Sequence, residues 1–360
     1  MTNKVITSID QVSVEWLTSA LMKSGALAKG EVQSFKFGQG QGNWSTSANL
    51  FVKYTEDATG SLPERLFLKM VNTDLDDEYF GDSEVTFYTR DYVDVPEAPL
   101  LRCYDAAYSK DLHRYHILLD DVSETHIEAA EKEPTLEYGL ALADGLAILH
   151  ARWWGEQKLA EAGAPIHAEG HIQRFVDIAE PGVEHIVKGF SSELKPNWPE
   201  AMRELFEMHP KAIIQRARDL NGFTLIHGDV GSANILVPRH SDRPIYIIDR
   251  QPFDWSLTTW LGVYDLAYAI VLDWETETRR KYEKPILEQY HNQLMRNGVT
   301  DYPWEQLHND YRLCVAMCVY IATEYCRGGV IERLIPAWLP MLQRALTACD
   351  DLDCRTLWID

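Results

Sequence analysis

Along most of the first third of the chain apolar residues gather in short runs between turn signals, and beyond it they recur at helical spacing. The segments EVQSFKF (31–37), NLFVKYT (49–55), RLFLKM (65–70), PLLRCYDAAY (99–108) and RYHILL (114–119) are rich in β-branched, aromatic and aliphatic residues and lie between turn signals. That texture predicts five strands. A short amphipathic helix precedes them, with Ser13 as N-cap, Val14, Leu17 and Leu21 on one face, and Gly25 to end it. A second helix interrupts the strands over 82–92, where Val85 and Tyr88 or Thr89 stand at helical spacing. After Leu119 the chain turns polar through DDVSETHIEAAEKEP, a natural connection. Beyond it the reading is largely helical. LEYGLALADGLAILHARWWG (136–155) carries Leu136, Leu140, Ala143, Leu146 and Ala147 on one stripe, with Gly155 near its end. Segments 169–191, 199–220, 277–297, 303–327 and 331–349 also read as helices. The exception is 223–249, where FTLIHGD and PIYIID flank a turn-rich stretch. The expected class is α+β, in three parts. An N-terminal lobe over 1–119 holds an antiparallel five-stranded sheet and one main helix, a connection covers 120–134, and a mainly helical lobe covers 135–360.

Composition narrows the function classes. A length of 360 residues suits two lobes, and 46% hydrophobic with 25% charged residues is ordinary for a soluble globular chain. The balance of 34 basic against 55 acidic side chains gives a formal charge of -21. Such a surface repels phosphate backbones and anionic lipid, which argues against nucleic acid and membrane as partners. It tilts the substrate toward neutral or cationic compounds, although solubility alone accounts for it. Six cysteines form no CxxC pair, and Cys314 and Cys318 fall one helical turn apart in an apolar run, as suits reduced thiols. No signal peptide is visible in MTNKVITSID, and the run Leu313 to Thr323 is short of the ~20 residues a span requires. A cytoplasmic protein is expected.

Chemistry concentrates in LIHGDVGSANILVPRHSDRPIYIIDRQ, residues 225 to 251. Phosphoryl transfer to a hydroxyl needs one carboxylate to accept the proton, and an Asn and a second Asp to hold Mg²⁺ on the ATP phosphates. Asp229, Asn234 five residues later, and Asp249 at the end of an apolar strand supply these groups in that order. Asp229 is the expected catalytic base, and Asn234 and Asp249 the metal ligands. Singly, each is an ordinary turn or cap residue; the pattern as a whole carries the reading. His227 is expected to order the loop by hydrogen bonding and not to transfer protons.

This stretch resembles the catalytic and metal loops of the aminoglycoside phosphotransferase and choline kinase-like families, relatives of protein kinases. The HGD loop, the Asp-x-Gln at 249–251 and GVYDLAYAI (262–270) are most similar to the ecdysteroid kinase-like branch. The resemblance implies a protein kinase-like two-lobe fold, with Asp265 bracing the catalytic loop. It also implies a phosphate-covering turn in FGQGQGNWS, with Gly38, Gly40 and Gly42 allowing close approach of backbone N–H groups. Their spacing departs from GxGxxG. Lys69 is placed on the α and β phosphates and Glu84 as its partner, with Glu78 as the alternative. In the connection LLDD (118–121), Asp120 or Asp121 lies near adenine. Arg250 stands where protein kinases have the Phe of Asp-Phe-Gly, and no Ala-Pro-Glu follows. That departure argues for a small-molecule kinase assembled permanently, with Arg250 turned away from the metal toward a carboxylate.

The expected activity is therefore ATP- and Mg²⁺-dependent transfer to a small-molecule hydroxyl. The alternative is a nucleotide-binding protein of this fold without turnover. GxSxG and GxxxxGK[ST] are both missing, so a hydrolase or P-loop enzyme has little support. Trp255 and Trp260, with Asp254, Asp273 and Glu275, are candidate walls of the acceptor site, though most of the tryptophans are expected in the core.

Overall fold

The five apolar runs of the first third pair into one antiparallel sheet. It is seen in a computed structural model that describes residues 5–38, 46–71, 80–240, 243–251, 253 and 255–359. Helix α1 (Val14–Lys23) starts where the Ser13 hydroxyl accepts the Trp16 N–H at 3.2 Å, a cap of about 1 kcal/mol. Two short strands, β1 (Leu27–Lys29) and β4 (Thr59–Gly60), pair with each other. The main sheet has the order β2-β3-β5-β7-β6, built from β2 (Val32–Phe37), β3 (Thr46–Tyr54), β5 (Arg65–Val71), β6 (Cys103–Ser109) and β7 (Arg114–Asp120). Every pairing within it is antiparallel.

Alternation decides which residues face the core. On β5, Leu66, Leu68 and Met70 are buried, and they join Leu17 and Leu21 of α1 with Val32, Leu50 and Leu118. A side-chain period of two puts Lys69 on the opposite face. The helix between β5 and β6 is short: α2 (Ser83–Thr86) is one α-helical turn, extended by a π-helical turn over Phe87–Asp91.

Among the described residues the rest is mainly helical, comprising α3 (Leu136–Arg152), α4 (Gly155–Ala162), α5 (Glu169–Ala179), α6 (Pro181–Phe190), α7 (Trp198–Arg216), α8 (Val263–Ala267), α9 (Thr276–Arg296), α10 (Trp304–Glu324) and α11 (Ile335–Asp351). Short strands β8 (His126–Glu128), β9 (Phe223–Leu225), β10 (Ile235–Pro238), β11 (Tyr246–Ile247) and β12 (Thr259–Leu261) complete the element order. Helix α10 is buried on all sides from Leu313 to Tyr320, which explains an apolar run with no polar stripe. Helices α3 and α9 meet at Gly139, where a Cβ would stand 2.3 Å from Ile286 Cδ1. No helix among the described residues is long and apolar enough to cross a membrane.

The chain divides into two compact units. The first holds Met1–Asp94, Leu100–Ile127 and Pro238–Asp254, and the second holds Val95–Pro99, Glu128–Val237 and Trp255–Asp360. The hairpin segment ending in Asp249 thus groups with the sheet, whereas chain order alone assigns it to the helical part. Other differences are local. Gly155 (φ +81°) opens α4 and does not close α3. The helix expected over 169–191 is two, because Pro181 has no N–H to continue α5 and serves instead as the first residue of α6. All six cysteines are free thiols, with Cys314, Cys318, Cys326 and Cys354 buried. Burial pushes the Cys326 thiol up to about 11 and Cys103 to about 12, with Cys314 and Cys318 also raised.

Candidate active site

In the first unit a polar cluster forms on the sheet face opposite α1. Lys69 of β5 donates to both carboxylate oxygens of Glu84, at 2.9 and 2.8 Å, and its ammonium also contacts Asp249 Oδ1. Glu84 is 2% exposed, yet it is fully served, because the Tyr115 hydroxyl from β7 donates to its Oε2. Burial, then the Glu84 charge, holds that phenol well above the ordinary tyrosine range, so it remains a donor. The Lys69 ammonium lies 5.9 Å from the Tyr115 ring centre. Asp249 itself sits at φ +66°, a left-handed conformation that Asp tolerates better than most residues. Its side chain is 45% exposed, in contrast to the buried Glu84.

The residue after it is committed elsewhere. Arg250 is 3% exposed, and its Nη1 donates to Asp91 Oδ2 at 3.0 Å. The guanidinium therefore turns to a carboxylate.

The connection residues have distinct partners. Asp121 is held below the usual carboxylate range although burial pushes it up; hydrogen bonds from Ser123 and Asn49 and the charge of Arg65 outweigh that cost. Asp120 ends β7, where its N–H donates to Arg102 O at 3.0 Å and its Oδ1 accepts the Tyr104 hydroxyl. Gly38 donates to Asn49 O at 2.7 Å, and a Cβ there would press on Phe51 Cε2 at 3.0 Å. Close packing across the hairpin is thus one reason for glycine at that position. Gly40, Gly42, Glu78 and Asp254 lie outside the described residues.

In the second unit the loop after β9 presents Asp229. Its Oδ1 accepts the Tyr268 hydroxyl at 2.6 Å, and its Oδ2 accepts Asn234 Nδ2 at 3.1 Å. The same Asn234 nitrogen donates to the Asp229 carbonyl at 2.8 Å. Tyr268 is raised well above its ordinary range by burial and then by the Asp229 charge. The loop turns at Gly228, whose φ of +84° is a conformation that costs a side-chain-bearing residue about 1–2 kcal/mol. Behind it, fully buried Asp265 accepts the N–H groups of His227 at 2.6 Å and Gly228 at 2.9 Å. His150 Nε2 is 3.1 Å from the same carboxylate, and its Nδ1 is 2.8 Å from the Tyr290 hydroxyl. Burial pushes Asp265 up, but the His150 hydrogen bond and charge, with His227 and the Gly228 N–H, hold it below the usual range. His227 Nδ1 accepts the Asp229 N–H at 3.3 Å, a loop-ordering contact.

Next to this loop the second unit contains a cavity of about 440 Å³, lined among others by Lys132, Glu133, Tyr138, Ser232, Asp273 and Ala337. Asp273 accepts the Ser232 N–H at 2.5 Å, and burial raises its carboxyl. Trp260 does not line it. It is 1% exposed within β12, and its indole N–H lies 3.2 Å from Met317 Sδ, so packing claims it. Trp255 packs toward Phe175, with ring centres 6.4 Å apart.

Tyr115, His150 and Tyr268 are the participants that sequence patterns missed. Only Tyr268 left a signal, standing three residues after Asp265 and so on the same helical side.

Residues 93–299, more than half of the chain, match the ecdysteroid kinase-like family. Solved structures are similar over nearly the whole length. A spectinomycin phosphotransferase bound to ADP and spectinomycin is 13% identical, covering 96% of this chain and 99% of its own, with a TM-score of 0.55. The ethanolamine kinase of Plasmodium vivax is 11% identical over 90% of this chain and 83% of its own, also at 0.55. A glucosamine kinase is 14% identical over 94% and 84%, again at 0.55. No curated protein matches the sequence. At such identities the structures establish a shared kinase-like two-lobe fold, and the matched segment carries the family: this chain belongs to the ecdysteroid kinase-like family.

Proposed function

We propose that the protein is an ATP- and Mg²⁺-dependent phosphotransferase that moves the γ-phosphate to a hydroxyl of a small molecule, with Asp229 as base. The observation that carries this reading is the hold on Asp229. Both carboxylate oxygens accept hydrogen bonds, from Tyr268 and Asn234, on a loop fixed from behind by Asp265. A carboxylate so oriented can take the acceptor's proton as the hydroxyl oxygen bonds to the γ-phosphorus. The β–γ bridging P–O bond then breaks and ADP leaves. Lys69 contributes positive charge to the nucleotide's phosphates, oriented by Glu84 and Tyr115. Gly38, Gly40 and Gly42 belong to the phosphate-covering turn, and Asp120 to the adenine end of the site.

The donor set suits a hard divalent cation. Asp249 offers an exposed carboxylate, and Asn234 an amide oxygen whose nitrogen is already bound to Asp229. Among the described residues no group of three or more His, Cys, Asp or Glu could hold a metal alone. A nucleotide-bound Mg²⁺ does not need one, because phosphates and water supply most ligands. Bound by Asn234 and Asp249, it would offset charge on the β and γ phosphates.

The cavity beside Ser232 is the acceptor's place in this reading. Its Asp273 and Glu133 carboxylates favour a polar or cationic body. The similar structures are kinases of amino alcohols and amino sugars by name, which supports a small acceptor.

The test is ADP release from MgATP with a panel of amino alcohols, aminoglycosides, sugars and hydroxysteroids, for the parent and Asp229→Asn. A positioned base contributes roughly 10²–10⁴-fold, so the variant should lose that factor in kcat while binding MgATP normally. Near-parental kcat in Asp229→Asn would falsify the assignment. Nucleotide binding without turnover on any acceptor would favour the non-catalytic alternative.

A further inference from the structure

The α2 segment has little reason of its own to stay where it is. One α-helical turn followed by a π-helical turn is far below the length at which a helix holds itself, and π geometry is rare and weak. Yet Glu84 on this segment must meet Lys69 within hydrogen-bond distance. Something outside the segment sets its position.

Arg250, Gln251 and Phe253 make five contacts with this segment and with Phe80 just ahead of it, all within the first unit. Arg250 Nη1 donates to Asp91 Oδ2 at 3.0 Å, at the C-terminal end. The same nitrogen is 3.4 Å from Ser83 O, at the N-terminal end. The guanidinium carbon stands 5.6 Å from the Phe87 ring centre, at the middle. In return, the Ser83 hydroxyl donates to Gln251 O at 2.6 Å, and Phe80 bridges to Phe253 with the two rings stacked at 5.6 Å. Asp91 has no exposed side-chain surface, and Arg90 Nε holds its other oxygen at 2.8 Å.

We infer that Arg250 is a positioning residue: through Asp91 and Ser83 it clamps the segment carrying Glu84 to the residue that follows Asp249. Glu84, Lys69 and Asp249 are thereby held in one arrangement without a phosphorylation or closure step. The inference rests on the proposed phosphotransfer, and it assigns the residue that departs from the protein kinase pattern. Arginine suits the task because one guanidinium nitrogen donates to a carboxylate and a carbonyl at once while the flat face of the group lies over an aromatic ring. Lysine keeps the charge but not the flat face.

The experiment compares the parent, Arg250→Lys, Asp91→Asn, Glu84→Gln and the double variant Arg250→Lys/Glu84→Gln. Steady-state kinetics with MgATP and a working acceptor are measured together with thermal melting. Arg250→Lys is expected to lower kcat/KM for MgATP about tenfold or more, with KM for the acceptor within about twofold of the parent. In the Glu84→Gln background the same change should cost less than about twofold, because residues acting through one pair are non-additive. A purely structural role predicts equal loss in both backgrounds, and that result would overturn the inference. Asp91→Asn should reproduce the Arg250→Lys profile, and it decides the matter if Arg250→Lys does not fold. Asp229→Asn is run alongside. If it stays active the assignment of Asp229 as base fails, whereas if it is inactive and Arg250→Lys is parental only the clamp is lost.

Discussion

Asp265 shows how a single buried charge can organise a loop 37 to 38 residues away in sequence. It has no solvent exposure, and it accepts two consecutive backbone N–H groups and a His150 ring nitrogen. Hydrogen bonds to a charged group contribute about 1.5–3 kcal/mol each, and an amide at this position cannot accept from all three donors. Asp265→Asn should therefore lower the melting temperature and kcat together. The pH dependence follows from the sign of its shift. Its folded carboxyl titrates below the ordinary value of 3.8, so its contribution is present above about pH 4 and is lost as pH falls through the lowered folded value. Melting curves of parent and Asp265→Asn from pH 7 downward should stay apart to about pH 4 and converge below it. A gap that is constant into the acid range would deny the charge this role. The bracing role of Asp265 and the pairing of Lys69 with Glu84 both follow from the resemblance to the kinase families, on residues that the sequence displays in the matching order. His150 and Tyr115 were not legible, because a lone histidine in a helical apolar stripe and a tyrosine in a strand look like ordinary core residues.

At the scale of elements, the five strands are legible because each is a short run of β-branched, aromatic and aliphatic residues between turn signals, and in some the burial also alternates. β5 is the plainest case, with Leu66, Leu68 and Met70 inward and Lys69 outward. Helix boundaries were less so. The stripe over 136–155 runs on into WWG, and no pattern of hydrophobicity announces that Gly155 begins a helix. The contact of Phe80 with Phe253 joins residues far apart in sequence, which local periodicity cannot register. Helix α11 offers a test of the cavity. Ala337 lines it and is itself exposed, so Ala337→Trp should narrow the space at little cost to folding. KM for the acceptor should rise about tenfold while KM for MgATP changes less than about twofold. An unchanged acceptor KM would remove this cavity from the acceptor's path.

The whole molecule carries a formal charge of -21 over 360 residues, and a folded chain of that charge repels itself. Raising NaCl from about 10 to about 200 mM shortens the screening length from about 30 Å to under about 10 Å. The melting temperature should accordingly rise by a few degrees over that range, and a fall would mean that surface ion pairs outweigh the repulsion. The buried cysteines give the same molecule a clock. Cys314, Cys318, Cys326 and Cys354 all lie in the second unit, whereas Cys103 belongs to the first. A raised thiol sealed from solvent reacts with a disulfide reagent only when its surroundings part, since the thiolate is the nucleophile. The rate at which colour develops in native buffer thus reads how often the helical interior breathes, and a modifier-resistant fraction that becomes reactive on warming would give the energy of that opening without any probe being added to the chain.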